Sequence, residues 1–147
     1  MTEVVGIDHL YIAATDLATS ESFYDRVLRD VMGFRKNAFP LGERAEQHVQ
    51  YFNRHFGFVL RPARTKTAHD AYAPGLHHFC FRVDSIADVQ AIARDLRALG
   101  VDASEARLCP DYAPDYWATY FTDPDGVRLE VTNYRAERRE LHDHWNR

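Results

Sequence analysis

A chain of 147 residues suffices for one compact domain that buries about two-thirds of the surface its unfolded form exposes. The composition, 46% hydrophobic and 27% charged, is that of an ordinary globular protein, and a net charge of −4 with scattered basic residues excludes nucleic acid and an anionic membrane as partners. Two cysteines, Cys80 and Cys109, are too few for a disulfide framework. They read as free thiols in a reducing compartment. No stretch approaches the roughly 20 apolar residues of a membrane span, and the N-terminal residues lack a signal-peptide pattern. A cytoplasmic protein is expected.

Residues 4–14 alternate as a strand, with Leu10, Ile12 and Ala14 on one face and His9, Tyr11 and Ala13 on the other. Asp16 is placed to cap a helix in which Tyr24, Val27, Leu28 and Val31 form an apolar stripe, and Gly33 ends it. Residues 34–39 follow as a strand and residues 40–42 as a turn. Residues 47–53 and 56–61 read as a hairpin with Gly57 near its turn, and the polar residues 64–74 as a linker.

The same order then recurs. Residues 76–83 form a strand, Ser85 and Asp88 a capping box, and Val89, Ile92, Ala93, Leu96 and Leu99 the stripe of a helix that Gly100 stops. Residues 101–106 read as a strand, 109–115 as a loop, 116–122 as a strand, 123–126 as an Asp-Pro-Asp-Gly turn and 127–133 as the last strand. A charged tail, residues 136–145, is expected to be helical.

The recurrence has a fixed offset. Gly6 falls on Gly75 and His9 on His78, both 69 positions apart, and Tyr51-Phe52 with Gly57 falls on Tyr120-Phe121 with Gly126. The chain is thus expected to be α+β: two tandem βαβββ modules, about 4–63 and 75–134, forming a cupped mixed sheet with helices outside, and a C-terminal helical tail over 135–147.

Strand parity chooses the candidate site. His9 and His78 point away from the helix-packing residues, whereas His77 shares its parity with Phe79 and Phe81. In the last strand Leu129 and Val131 are core-like, which turns Glu130 to the side of the two histidines. An imidazole from each module and one carboxylate make a nitrogen and oxygen donor set suited to a divalent transition metal, with positions left open. A lone strand histidine is more often a packed or surface group, and a terminal-strand glutamate is usually solvated. Their joint placement at equivalent points of a duplicated unit is what favours a metal site.

Three segments carry a resemblance: His9-Leu-Tyr-Ile-Ala-Ala with Asp16-Leu and Phe23-Tyr24, then Gly75-Leu-His-His78-Phe, then Tyr120-Phe-Thr-Asp-Pro-Asp-Gly-Val-Arg-Leu-Glu130-Val. Together they resemble the vicinal oxygen chelate superfamily of glyoxalase, bleomycin-resistance and extradiol dioxygenase proteins. The resemblance implies that His9, His78 and Glu130 stand at the family's ligand positions for a divalent ion such as Fe2+, Mn2+, Zn2+ or Ni2+. It also implies a small-molecule substrate and a homodimer. Glyoxalase I-like members carry a fourth ligand on the last strand of the first module. The 69-residue offset carries Glu130 back to Arg61, which cannot coordinate a cation, so the pattern looks more like the His, His, Glu set of the extradiol dioxygenases or the fosfomycin-resistance type.

Arg61, if it faces the site, suits a substrate carboxylate or phosphate. Its ordinary alternative is an exposed arginine beside Pro62. Tyr116 and Tyr120 share parity with each other, and either hydroxyl could serve an oxyanion, although strand tyrosines are most often packing residues. His48 maps by the offset onto Trp117 and is left out, and His142 and His144 lie in the tail. The general base is unassigned.

The expected function is Lewis-acid chemistry on a small oxygenated molecule whose two neighbouring oxygens chelate the ion. The reaction is lyase or isomerase chemistry of the glyoxalase kind, group transfer or extradiol-type dioxygenation. The alternative is a metal-free drug-binding protein of the bleomycin-resistance type, suited to a chain that is 13% aromatic.

Overall fold

The computed structural model of the protein describes residues 1–137; the expected tail helix, with His142 and His144, lies almost wholly outside them. The chain divides into two compact units, Met1–Asp70 with Asp123–Gly126, and Ala71–Thr122 with the residues from Val127 onward. Each unit holds a four-stranded mixed sheet and a helix in the order βαβββ.

In the first unit, β1 (His9–Ala14) runs parallel to β4 (Gly57–Pro62), which pairs antiparallel with β3 (Glu46–Phe52), itself antiparallel to the edge strand β2 (Arg35–Leu41). Strand β1 is shorter than the alternating pattern suggests. His9 lies opposite Gly57, the first residue of β4, whose N–H donates to the Asp8 carbonyl at 2.8 Å, so residues 4–7 have no ladder to join. Pro40, expected in a turn, instead sits within β2. An edge strand tolerates the missing N–H, and the chain reverses after it at Gly42, whose φ is +77°.

Asp16 caps α1 (Leu17–Tyr24) by accepting from the Thr19 N–H at 3.0 Å, and that bond holds its carboxyl below the usual range. The apolar stripe expected of one α-helix continues past Tyr24 as a π-helical stretch, Asp25–Val31, closed by the Met32 N–H on the Val27 carbonyl at 3.1 Å. Tyr24, Val27 and Leu28 are fully buried. The Tyr24 ring lies 4.9 Å from that of Phe58 and 6.4 Å from that of Tyr51, which fixes the helix to one face of the sheet. The opposite face carries His9, Tyr11, Val59, Arg61, His48 and Gln50.

The second unit repeats the plan with β5 (His78–Val83), α2 (Ile86–Ala98), β6 (Arg107–Leu108), β7 (Trp117–Thr122) and β8 (Arg128–Asn133), in the sheet order β5-β8-β7-β6. The capping box at Ser85 and Asp88 forms as the sequence predicts, and Val89, Ala93 and Leu96 are buried where α2 packs on β7 and β8. The strand expected over 101–106 does not form; the short β6 lies just beyond it. Ser104 explains why: its N–H reaches the Tyr120 carbonyl at 2.9 Å, but its own hydroxyl takes the Tyr120 N–H at 3.0 Å, so a side chain replaces the backbone carbonyl and the ladder stops.

The two units repeat one register with small insertions. His9 pairs with Gly57 and His78 with Arg128, so equivalent residues of β4 and β8 are 71 apart, not 69. Gln50 pairs with Val59 and Tyr120 with Glu130, so those of β3 and β7 are 70 apart. Glu130 therefore corresponds to Val59 rather than to Arg61. Tyr120 corresponds to Gln50 rather than to Tyr51. The offset fails in two steps: one extra residue enters between the first and third strands of the second unit, and the connection from β7 to β8 is one residue longer than that from β3 to β4.

Candidate functional site

In the second unit, alternation along β5 puts His78, Cys80 and Arg82 on one face, and the parallel register sets Cys80 directly beside Glu130. Glu130 is only 3% exposed. A carboxylate withdrawn from water this far costs several kcal/mol unless its oxygens find partners, and both do. Tyr116 donates its hydroxyl to Oε1 at 2.6 Å, and the His78 Nε2 stands 3.4 Å from Oε2. His78 remains partly exposed, so the pair opens to solvent on the histidine side.

The other ring nitrogen of His78 is engaged as well: Nδ1 lies 2.7 Å from Nδ1 of His77, one donating to the other. His77 was set aside on strand parity, but it precedes the first residue of β5, so alternation does not govern it. It belongs to a chain of contacts in which the Arg128 guanidinium reaches the Tyr72 hydroxyl at 3.1 Å and Nε2 of His77 at 3.5 Å. The signal available in the sequence was adjacency to His78 alone.

Burial, and next the Glu130 charge, push the Cys80 thiol up to about 12, so it remains a neutral thiol. Tyr116 and Tyr120 are raised above the ordinary phenol value, each first by burial. For Tyr116 the next cause is the bond to Glu130, and for Tyr120 it is Cys109, whose Sγ lies 3.7 Å from the hydroxyl. Of the two tyrosines, the hydroxyl of Tyr116 is the one bonded to the carboxylate. Tyr120 is the cross-strand partner of Glu130 by register, with its hydroxyl toward Cys109.

In the first unit His9 is exposed on β1 and donates from Nδ1 to the Asp8 carboxylate at 2.6 Å, an arrangement that leaves Nε2 as the basic nitrogen. Arg61 shares this sheet face, opposite Ala13, but its guanidinium is ion-paired with Glu46. The carboxylate of Glu46 also takes Arg64 at 3.5 Å. His48 is buried at 3% exposure on the same face, stacked on Phe39 at 9° between planes and edge-on to Tyr11 at 6.0 Å. It donates from Nδ1 to the Glu46 carbonyl at 2.7 Å. The uniform offset assigned it the wrong partner, since on β3 it corresponds to Ala118.

The donor pair of the second unit, one imidazole nitrogen and one carboxylate oxygen, has the chemistry of a borderline divalent ion. Among the described residues, no three His, Cys, Asp or Glu side chains are grouped to hold an ion. No helix among them is long and apolar enough to cross a membrane.

Comparison with known proteins places the fold. Residues 6–131 match the sequence model of the Glyoxalase/Bleomycin resistance protein/Dioxygenase superfamily. The chain is 30% identical over 132 residues to the uncharacterized protein YaeR of Escherichia coli (strain K12), covering 85% of this chain and 93% of that one. Its fold is similar to a glyoxylase/bleomycin resistance protein/dioxygenase domain from Frankia sp. EAN1pec, with TM-score 0.73, 22% identity and coverage of 90% and 100%. It is also similar to the fosfomycin resistance protein FosX of Listeria monocytogenes, with TM-score 0.63, 16% identity and coverage of 95% and 99%. A lactoylglutathione lyase from Agrobacterium tumefaciens gives TM-score 0.59, 25% identity and coverage of 90% and 94%.

Proposed function

The chain belongs to the Glyoxalase/Bleomycin resistance protein/Dioxygenase superfamily, and from that premise we propose that it is a metal-dependent enzyme acting on a small oxygenated substrate. The observation that carries this reading is Glu130, a carboxylate buried at 3% exposure with one oxygen turned to Nε2 of His78 at 3.4 Å. A purely structural carboxylate would be expected to bond to backbone or to a fixed cation. This one faces a half-exposed imidazole. His78 and Glu130 are the proposed ligands of the second unit, and His9 is a further proposed ligand on the strength of the family resemblance.

When bound, a divalent ion there supplies Lewis acidity toward two neighbouring oxygens of the substrate. The protein's own groups set the surroundings. Tyr116 holds one oxygen of Glu130, the neutral Cys80 thiol adds no charge beside the carboxylate, and His77 fixes the ring of His78 through its Nδ1. Val59, the register equivalent of Glu130, offers no donor, and this favours an open His, His, Glu set over a four-ligand one. The relatives span a lyase and a fosfomycin-resistance protein, and for this chain lyase, isomerase, group-transfer and dioxygenase chemistry all stay within the proposal. A homodimer and a cytoplasmic location, the latter in keeping with the free thiols Cys80 and Cys109, complete it.

A second reading is a metal-free binding protein. The rings of Tyr11 and Phe39, backed by the buried His48 on the helix-free face of the first unit, favour it, since they offer a flat aromatic molecule a stacking surface. Metal analysis of the purified protein beside His78→Ala decides between them. One equivalent of a transition ion, lost in the variant, is expected. A metal-free wild type that still binds an aromatic ligand would establish the second reading instead.

A further inference from the structure

Tyr116 is held more firmly than a packing tyrosine needs to be. Asn133, 2% exposed, grips the backbone on both sides of it: the amide donates to the Asp115 carbonyl at 3.1 Å and accepts the Trp117 N–H at 2.9 Å. The Tyr116 carbonyl accepts from the Cys109 N–H at 2.7 Å. Over the ring lies the guanidinium of Arg135, 4.2 Å from the centroid and itself tied by Nη1 to the Thr132 hydroxyl and the Asn133 carbonyl, each at 3.0 Å. The ring of Tyr112 closes from another side at 5.1 Å. Backbone and ring are both fixed, and the one polar atom of the side chain points at Oε1 of Glu130 from 2.6 Å.

We infer that Tyr116 is a positioning residue for Glu130: by holding Oε1 it turns Oε2, on the His78 side, toward an ion as the favoured donor oxygen. The inference rests on the reading of Glu130 as a metal ligand. A carboxylate with both oxygens free can chelate through both or rotate between them; a charge-assisted hydrogen bond from a fixed phenol stops the rotation and makes Oε1 the weaker donor. The arrangement is the outer support of a ligand, of the kind whose loss typically weakens metal affinity about 10- to 100-fold. Arg135 acts one step further out, since its stacking sets the plane of the ring and thus the line of approach of the hydroxyl.

The test compares the full chain, Tyr116→Phe and Tyr112→Phe. Phenylalanine keeps the ring and the contact with Arg135, and Tyr112 supplies a neighbouring tyrosine whose ring touches Tyr116. Calorimetric titration with Mn2+ and Co2+ gives affinities, the visible spectrum of the cobalt protein reports its coordination number, and thermal unfolding of the metal-free proteins checks the fold. Tyr116→Phe is expected to bind about 10- to 100-fold more weakly, with a fainter cobalt band as the freed oxygen raises the coordination number, while Tyr112→Phe matches the wild type. A wild-type cobalt spectrum in Tyr116→Phe overturns the inference even where affinity falls, because a merely structural role would lower affinity without changing the ligand set. A wild type that binds neither ion overturns the reading of Glu130 as a ligand, and this inference with it.

Discussion

The hydroxyl of Tyr24 donates to the carboxylate of Asp123 at 2.9 Å, although 99 positions separate them in the chain. Tyr24 closes α1, and Asp123 opens the Asp-Pro-Asp-Gly turn between β7 and β8. That turn belongs to the first unit although both of its flanking strands belong to the second. Its second aspartate makes another such link, Asp125 Oδ2 accepting from the Thr15 N–H at 2.9 Å. The motif therefore does more than reverse the chain: its carboxylates fasten to the start and the end of α1.

Removing one partner tests how much that fastening contributes. Asp123 is 6% exposed, and Tyr24→Phe takes away a buried donor to its charge while keeping the ring. A loss of about 1–3 kcal/mol is expected. Urea unfolding should show a lower midpoint at an unchanged slope.

Alkaline pH should act through the same residue. Burial first, and then the charge of Asp123, hold the Tyr24 phenol well above its ordinary value, and Tyr51 is raised by burial and by its bond to Asp25. Both release their protons more readily unfolded than folded. The stability they contribute is whole below the unfolded value of about 10 and is lost as pH rises beyond it. Unfolding free energy is therefore expected to fall above pH 10, and less steeply in Tyr24→Phe. A variant with the wild-type slope would refute the assignment.

Helix α2 offers a check on capping. Ser85 accepts from the Asp88 N–H while Asp88 accepts from the Ser85 N–H. Ser85→Ala is expected to cost about 0.5–2 kcal/mol, and Ser85→Gly only a few tenths, measured by thermal unfolding.

Removal of metal should separate the proposed ligands from their neighbours. Chelation is expected to lower the melting temperature of the wild type, since an ion bound by the folded state stabilises it by mass action. In His78→Ala and Glu130→Gln the chelator should change nothing. An equal drop in His78→Ala would place the ion elsewhere.

Much of this was legible early. The duplicated order, the capping box at Ser85 and the placing of His78 and Glu130 on one sheet face follow from period-two alternation and from turn chemistry, both local properties. What misled was counting. A uniform offset matched Glu130 to Arg61 and His48 to Trp117, yet the registers match them to Val59 and Ala118. One extra residue before β7 and another in the turn after it leave each strand's pattern intact while changing what faces what. His77 escaped because alternation is a rule for strands, and the strand begins one residue later.

By itself the sequence determined the order of strands and helices, the positions of most of them and which side of each strand faces its helix, because hydrophobic periodicity and caps act over a few neighbours. Tertiary structure alone decided that Tyr116 rather than Tyr120 holds Glu130, that Arg61 is ion-paired with Glu46, and that Asp123 closes on Tyr24. The reach of a side chain to a particular oxygen depends on register, turn length and the packing of distant segments, and no local pattern encodes these.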